Sequence, residues 1–129
     1  MQPRVMYARV GVEAGLDTAE EARTATAAVL RALRDRLTPR EAEQAAAQLP
    51  QELKELWRAG SPMTWPPIKM HWREFLERVK TEGGLADLRT AELVTEAVFA
   101  ALKEQLSDGE SDDILAQLPR DLKRVWVHA

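Results

Sequence analysis

The 129-residue sequence contains no cysteine and no asparagine. The absence of cysteine excludes disulfides, thiol chemistry and cysteine-ligated metal, and nothing indicates an oxidising compartment, so a cytoplasmic location is expected. No apolar run approaches the roughly 20 residues that cross a bilayer, and residues 1–10 lack the apolar stretch of a secretory signal. We therefore expect neither membrane insertion nor export.

The sequence also lacks an excess of positive charge. It has 18 basic and 21 acidic side chains, and neither half is basic, whereas nucleic-acid binding needs clustered lysine and arginine. Nucleic-acid partners are therefore not expected. The lack of asparagine and cysteine beside 30% charged residues is typical of a thermophile, although a GC-rich genome produces the same bias.

Metal and catalytic motifs are missing as well. Neither His71 nor His128 has a second histidine three or four residues away, so no helical metal pair is present. The acidic segment Asp108–Asp113 lacks the glycine and glutamate that an EF-hand needs at its sixth and twelfth positions, and a helix N-terminus accounts for it. No serine lies in a nucleophile motif. We expect no catalytic residue, no cofactor and no metal ligand.

The sequence is an internal repeat. With an offset of 69 residues, Met1–Gly60 aligns with Met70–Ala129 without a gap and with 22 identities in 60 pairs. No stretch alternates like a strand. The sequence therefore predicts an all-α fold of two tandem four-helix modules, residues 1–60 and 70–129, joined by a proline-containing linker at 61–69. Because each module is small, we expect the two to pack about a pseudo-twofold axis.

Helix boundaries are marked in both copies. Gly15 and Gly84 predict the end of the first helix of each copy, since glycine adopts the left-handed conformation without strain. Asp17, with Glu20 three residues later, is predicted to cap the second helix, and Asp87 to cap its equivalent.

The third and fourth helices have their own signals. Thr38–Glu41 and Ser107–Glu110 read as capping boxes that begin the third helix of each copy. Pro50 and Pro119 suit the first position of the fourth helix. The Gln-Leu-Pro corners are therefore predicted to have a structural role, which is to separate the third helix from the fourth.

The second helix of each copy is long and carries an apolar stripe with steps of three or four residues. We predict that this stripe faces the core. Its members are Ala22, Thr26, Val29, Leu33 and Leu37 in the first copy and Ala91, Val94, Val98, Leu102 and Leu106 in the second.

Several segments resemble a known family. Phe75–Val79, Glu82–Leu85, Leu106–Glu110 and Ala116–Pro119, together with Ala46–Pro50 in the first copy, resemble the bacterial family called domain of unknown function 2267. The resemblance covers nearly the whole chain. It implies a small all-helical tandem module, and it implies no reaction, cofactor or functional residue.

The four tryptophans fall into two classes. Trp57 and Trp126 are repeat-equivalent and end an apolar stripe, which favours a place in the core. Trp65 and Trp72 have no counterpart in the repeat and flank the linker prolines. They either cover the seam between the modules or anchor a partner, because tryptophan is favoured at binding hot spots.

We expect a non-enzymatic helical interaction module. Its candidate interaction surface consists of Met63, Trp65, Ile68 and Trp72, and its partner is another protein or a second copy, with a homodimer favoured. The alternative is an enzyme or small-ligand binder with a site in the cleft between the modules. A pocket in that cleft lined by convergent carboxylates with raised pKa values would favour this alternative.

Overall fold

The computed structural model describes residues 1–60 and 67–129, which form eight α-helices and no strand. This confirms the predicted all-α class. Within this part of the chain, no helix combines the length and apolar character needed to cross a membrane. The helices are α1 (Pro3–Ala14), α2 (Ala19–Arg36), α3 (Pro39–Ala47), α4 (Gln51–Arg58), α5 (Trp72–Gly83), α6 (Leu88–Gln105), α7 (Asp108–Gln117) and α8 (Arg120–His128).

Glycine ends α1 and α5, as predicted. Gly15 and Gly84 have φ values of 69° and 64°, in the left-handed region that other residues rarely adopt. The amides of Leu16 and Leu85 then donate back into the last helical turn, each at 2.9 Å. These bonds satisfy carbonyls that would otherwise lack partners.

The start of α2 differs from the prediction. Its cap is Thr18 rather than Asp17, and the Thr18 hydroxyl accepts from the amide of Glu21 at 3.1 Å. Asp17 lies one residue too far from the first turn. Asp87 caps α6 as predicted, accepting from the amide of Thr90 at 2.8 Å. The 69-residue offset pairs Thr18 with Asp87, so the alignment of the repeat already indicated Thr18 as the cap of α2.

The prolines of the Gln-Leu-Pro corners lie one position earlier than predicted. Pro50 and Pro119 are the cap residues of α4 and α8, with extended backbone, and the helices begin at the following residue. An extended proline directly before the first turn turns the chain sharply between two helices.

The long helices α2 and α6 lie at the centre of one continuous core. α2 packs most extensively against α5, α1 packs against α6, and the two long helices also contact each other. The predicted stripe positions are all buried. Burial is not limited to one stripe, however, because Ala25–Leu30 is buried without interruption. Neighbours on several sides, rather than one, cover α2.

The repeat-equivalent tryptophans are core residues, as predicted. Trp57 and Trp126 are 1% and 2% exposed. Trp126 lies edge-on to Phe99, whose ring is in turn edge-on to Phe75, with centroid separations of 5.1 and 5.9 Å. These aromatic contacts join α5, α6 and α8.

Candidate functional site

The N-termini of α3 and α7 are built in the same way. The hydroxyl of Thr38 accepts from the amide of Glu41 at 3.3 Å, and the hydroxyl of Ser107 accepts from the amide of Glu110 at 3.2 Å. These bonds are the first half of a capping box. They fix both glutamates in the first turn of their helices, where the helix dipole favours negative charge.

The second half of each capping box is absent, because a glutamine from the other half of the chain takes its place. Gln117 accepts from the amide of Thr38 at 2.9 Å and donates to its hydroxyl at 3.3 Å. Gln48 accepts from the amide of Ser107 at 2.8 Å and donates to its hydroxyl at 3.2 Å. The glutamines of the Gln-Leu-Pro corners therefore contact the opposite half of the chain. This role is additional to the predicted one of separating two helices.

The two glutamates, released from capping, meet between α3 and α7. One carboxylate oxygen from each of Glu41, Glu110 and Asp113 lies within 4.8 Å of the other two. Glu41 and Glu110 are each 6% exposed, whereas Asp113 is exposed to solvent. The Oε1 atoms of both glutamates are buried and have no hydrogen-bond partner among the described residues. We call Glu41, Glu110 and Asp113 the carboxylate cluster.

The carboxylate cluster concentrates negative charge in a poorly solvated place. Burial is the largest cause that raises the pKa of Glu110, and together with the neighbouring carboxylates of Glu41 and Asp113 it brings that pKa from 4.5 to about 8. Among the described residues, no lysine, arginine or histidine forms an ion pair with Glu41 or Glu110 within 4.0 Å. No side chain of the described part of the chain therefore neutralises this charge.

The carboxylate cluster was not predicted from the sequence. The sequence places Glu110 and Asp113 at a helix N-terminus that does not match a contiguous calcium loop, and it places Glu41 in a capping box. The available signal was the repeat, because the 69-residue offset pairs Glu41 with Glu110 and both are glutamate. In the predicted pseudo-twofold arrangement, residues near the axis would meet their own equivalents, so an identical pair of acids in the first helical turn was a candidate contact.

Two further groups of charged residues have structural roles. The Arg34 guanidinium donates to the carbonyls of Trp57 and Ala59, each at 2.8 Å, and the Lys103 ammonium donates to those of Trp126 and Ala129 at 2.7 and 2.8 Å. Both satisfy the C-terminal carbonyls of a short helix.

Ion pairs also join the two halves. Arg78 contacts Asp35 at 2.7 Å, where the carboxylate is 8% exposed, and Arg9 contacts Glu104 at 2.9 Å in a more exposed setting. Burial makes the first pair the stronger structural tie.

A cleft between the two halves lies at the ends of α1 and α5. Its volume is about 260 Å³, and residues from both halves line it, among them Gly15, Gly84, Glu21 and Thr90. Glu21 is the single carboxylate in its lining. This cavity and the carboxylate cluster have no lining residue in common.

The predicted interaction surface is only partly described. Met63 and Trp65 lie outside the described residues. Ile68 is 39% exposed, and its amide donates to the carbonyl of Asp35 at 2.9 Å. Trp72 is half-buried, stacked on Phe75 with ring centroids 6.2 Å apart. Trp72 therefore packs partly against the core, and Ile68 is the more exposed of the two.

The helical architecture gives the structural class of the protein. In the described ranges the protein is an all-helical bundle, joined across its halves by glutamine-to-cap hydrogen bonds. The family model described as "Uncharacterized conserved protein (DUF2267)" matches residues 4–125, and the chain belongs to this family. This confirms the predicted resemblance. No curated protein matches the chain.

Proposed function

We propose that the two halves are tandem copies of one module packed about a pseudo-twofold axis. Each helix of the second half begins 69 residues after its counterpart in the first. The contacts are reciprocal as well: α2 packs on α5 as α1 packs on α6. The glutamine-to-cap bonds and the ion pairs also occur in equivalent positions. These observations support modules at 1–60 and 70–129 with a linker at 61–69.

We propose that this two-module unit is a non-enzymatic interaction protein that binds a second copy of itself. The observation that carries this proposal is an exposed apolar face on α1. Val5 is 49% and Val12 is 83% exposed, and Ala8 between them is also exposed. Steps of three and four residues place all three on one side of the helix. The absence of cysteine supports a cytoplasmic location.

The equivalent face of α5 serves as an internal comparison. There the offset pairs Val5, Ala8 and Val12 with Glu74, Glu77 and Thr81, all of which are exposed. Polar residues are what an exposed helix face ordinarily carries. The α1 face carries no charge at these three positions, whereas the α5 face carries two glutamates, which supports a contact made by α1 and not by α5.

A second copy fits this face. Val5 and Val12 lie equally far from the midpoint between Ala8 and Arg9, so two antiparallel α1 helices related by a twofold axis bring unlike valines together. Alanine at the centre lets the helices approach closely. A hollow of about 320 Å³ adjoins the face, lined by Ala8, Val12 and Leu16 among others, and can receive apolar side chains of the second copy.

Sedimentation equilibrium with matched variants tests the proposal. We expect the wild-type chain to show a concentration-dependent dimer, and Val12→Glu to remain monomeric because a charge would be buried at the contact. Thr81→Glu places the same charge at the equivalent position of α5 and should dimerise normally. A wild-type monomer at every concentration, or equal effects of the two variants, would contradict the proposal.

The alternative class, a small-ligand binder with a site between the modules, has one observation in its favour. The carboxylate cluster lies between the modules and contains buried oxygens without partners.

A further inference from the structure

We propose that Glu41, Glu110 and Asp113 bind one hard divalent cation, of the Ca²⁺, Mn²⁺ or Mg²⁺ type. The site lies between the modules, whereas the proposed self-association uses the outer face of α1. The two proposals rest on different residues, so either can fail without the other.

The spacing of the oxygens suits a single ion. All three carboxylate oxygens lie within 4.8 Å of one another. Oxygen ligands bind these cations at about 2.0 to 2.6 Å, so two ligands on opposite sides of one ion are separated by roughly 4 to 5 Å. One ion can therefore contact the three carboxylates at once, without a change of backbone.

The buried glutamates lack the partners that buried carboxylates ordinarily have. Within residues 1–60 and 67–129, the Oε1 atoms of Glu41 and Glu110 have no hydrogen-bond partner, and both residues are more than nine-tenths buried. A buried carboxylate without compensation is strongly unfavourable, and natural proteins compensate it with a basic side chain, a proton or a metal ion. The described residues offer no basic side chain here.

A divalent cation compensates this charge more completely than a proton does. Three carboxylates meet in one place, and a single proton would neutralise only one of them. A divalent ion would neutralise two charges at once. Asp113 is exposed, so the ion has a route from solvent and can keep water ligands on that side.

The ligand set restricts the class of metal. The cluster offers oxygen atoms alone, with neither imidazole nor thiolate. Such a set suits hard cations, whereas zinc and copper sites normally include nitrogen or sulfur.

The fold keeps these oxygens available for a ligand. Gln48 and Gln117 occupy the cap amides that Glu110 and Glu41 would otherwise accept from. Both carboxylates are thereby free to face each other. Removing either glutamate should therefore affect cation binding more than it affects the helix N-termini.

Thermal unfolding of the full chain with added Mn²⁺, Ca²⁺ or Mg²⁺ tests the site. A ligand that binds only the folded state raises the melting temperature in a saturable way. We expect this rise for the wild type with at least one of the three ions, and its loss in Glu110→Gln. Asp113→Asn should weaken binding about tenfold because one charged ligand is lost, whereas Asp112→Asn, an exposed neighbour outside the cluster, should bind as the wild type does.

Paramagnetic broadening by Mn²⁺ locates the ion without relying on variants that must fold. Amide resonances of residues 38–42 and 107–114 should broaden first as Mn²⁺ is added to the wild-type chain. Broadening centred on other acidic surfaces would overturn the proposal. An unchanged melting temperature with all three ions at about 10 mM would also overturn the proposal. This concentration exceeds the dissociation constants of extracellular calcium sites, which are about 0.1 to 1 mM. The result would leave Glu41 and Glu110 as a pair that shares a proton.

Discussion

Gln117 holds the cap residue Thr38 at two points, accepting from its amide at 2.9 Å and donating to its hydroxyl at 3.3 Å. The two residues are 79 positions apart in the sequence. Gln48 holds Ser107 in the same manner. Each half of the chain thus completes the helix N-terminus of the other, and this exchange frees Glu41 and Glu110 to form the carboxylate cluster.

Gln117→Ala should lower the free energy of unfolding by about 1 kcal/mol, because the amide of Thr38 loses its partner in a partly buried place. Urea denaturation measures this loss. Gln51→Ala is the control, since within the described part of the chain the side chain of Gln51 forms one hydrogen bond, an exposed one to Glu55 at 3.4 Å. A cost for Gln117→Ala no larger than that of the control would mean that the cross-contact contributes nothing.

Much of the fold could be predicted from local signals. Gly15 and Gly84 end their helices where expected, because a left-handed cap depends on one residue and its neighbours. Thr18 was missed because Asp17, an equally good cap one residue earlier, competed with it. A comparison of the two copies would have resolved that choice.

The carboxylate cluster could not be predicted in the same way. Its members Glu41 and Glu110 are 69 residues apart, and within either segment each one has the pattern of a capping box. Only the tertiary contact between α3 and α7 changes their role, because it supplies Gln48 and Gln117 as replacement acceptors. Local patterns carry no information about that replacement.

The two core tryptophans differ in whether the indole N–H has a hydrogen-bond partner. The indole of Trp126 donates to Ser111 at 3.3 Å, whereas the indole nitrogen of Trp57 is buried without a partner. The offset pairs Ser111 with Ala42. Ser111→Ala should therefore cost about 1 kcal/mol, and Ala42→Ser should provide the missing acceptor.

Ala116→Ser, on an exposed face of α7, serves as the control for Ala42→Ser because both lose alanine helix propensity, about 0.5 kcal/mol. Chemical denaturation should give Ala42→Ser a free energy of unfolding at least about 0.5 kcal/mol higher than that of Ala116→Ser. This margin is about half of what one hydrogen bond contributes to stability. An Ala42→Ser variant less stable than the control would show that the site lacks room for the hydroxyl.

Stability should fall as pH rises from about 4.5 to 8. The folded state raises the pKa of Glu110 from 4.5 to about 8, so over this window the folded chain holds a proton that the unfolded chain has lost. The stabilising effect is complete below pH 4.5 and is lost as the pH passes through 8. For one proton the slope approaches about 1.4 kcal/mol per pH unit.

The pH dependence is measured by urea denaturation of the metal-free chain. Glu41 and Asp113 are the charged groups that face Glu110, so Glu110→Gln should flatten the profile and raise stability at pH 8. Glu52→Gln would not be a suitable control, because Glu52 accepts a hydrogen bond from Tyr7. Glu20→Gln, on an exposed position of α2, should leave the slope unchanged. Equal slopes in wild type and Glu110→Gln would assign the effect to other groups.

The face-to-face arrangement of Glu41 and Glu110 underlies both the proposed cation site and the pH dependence. Carbon-13 NMR titration of the glutamate carboxyl groups in the metal-free chain measures it most directly. We predict that the Glu110 carboxyl titrates near pH 8 and that Glu41→Gln lowers its pKa, because one like charge is removed. A Glu110 carboxyl that titrates near 4.5 in the wild type, unmoved by Glu41→Gln, would contradict the arrangement.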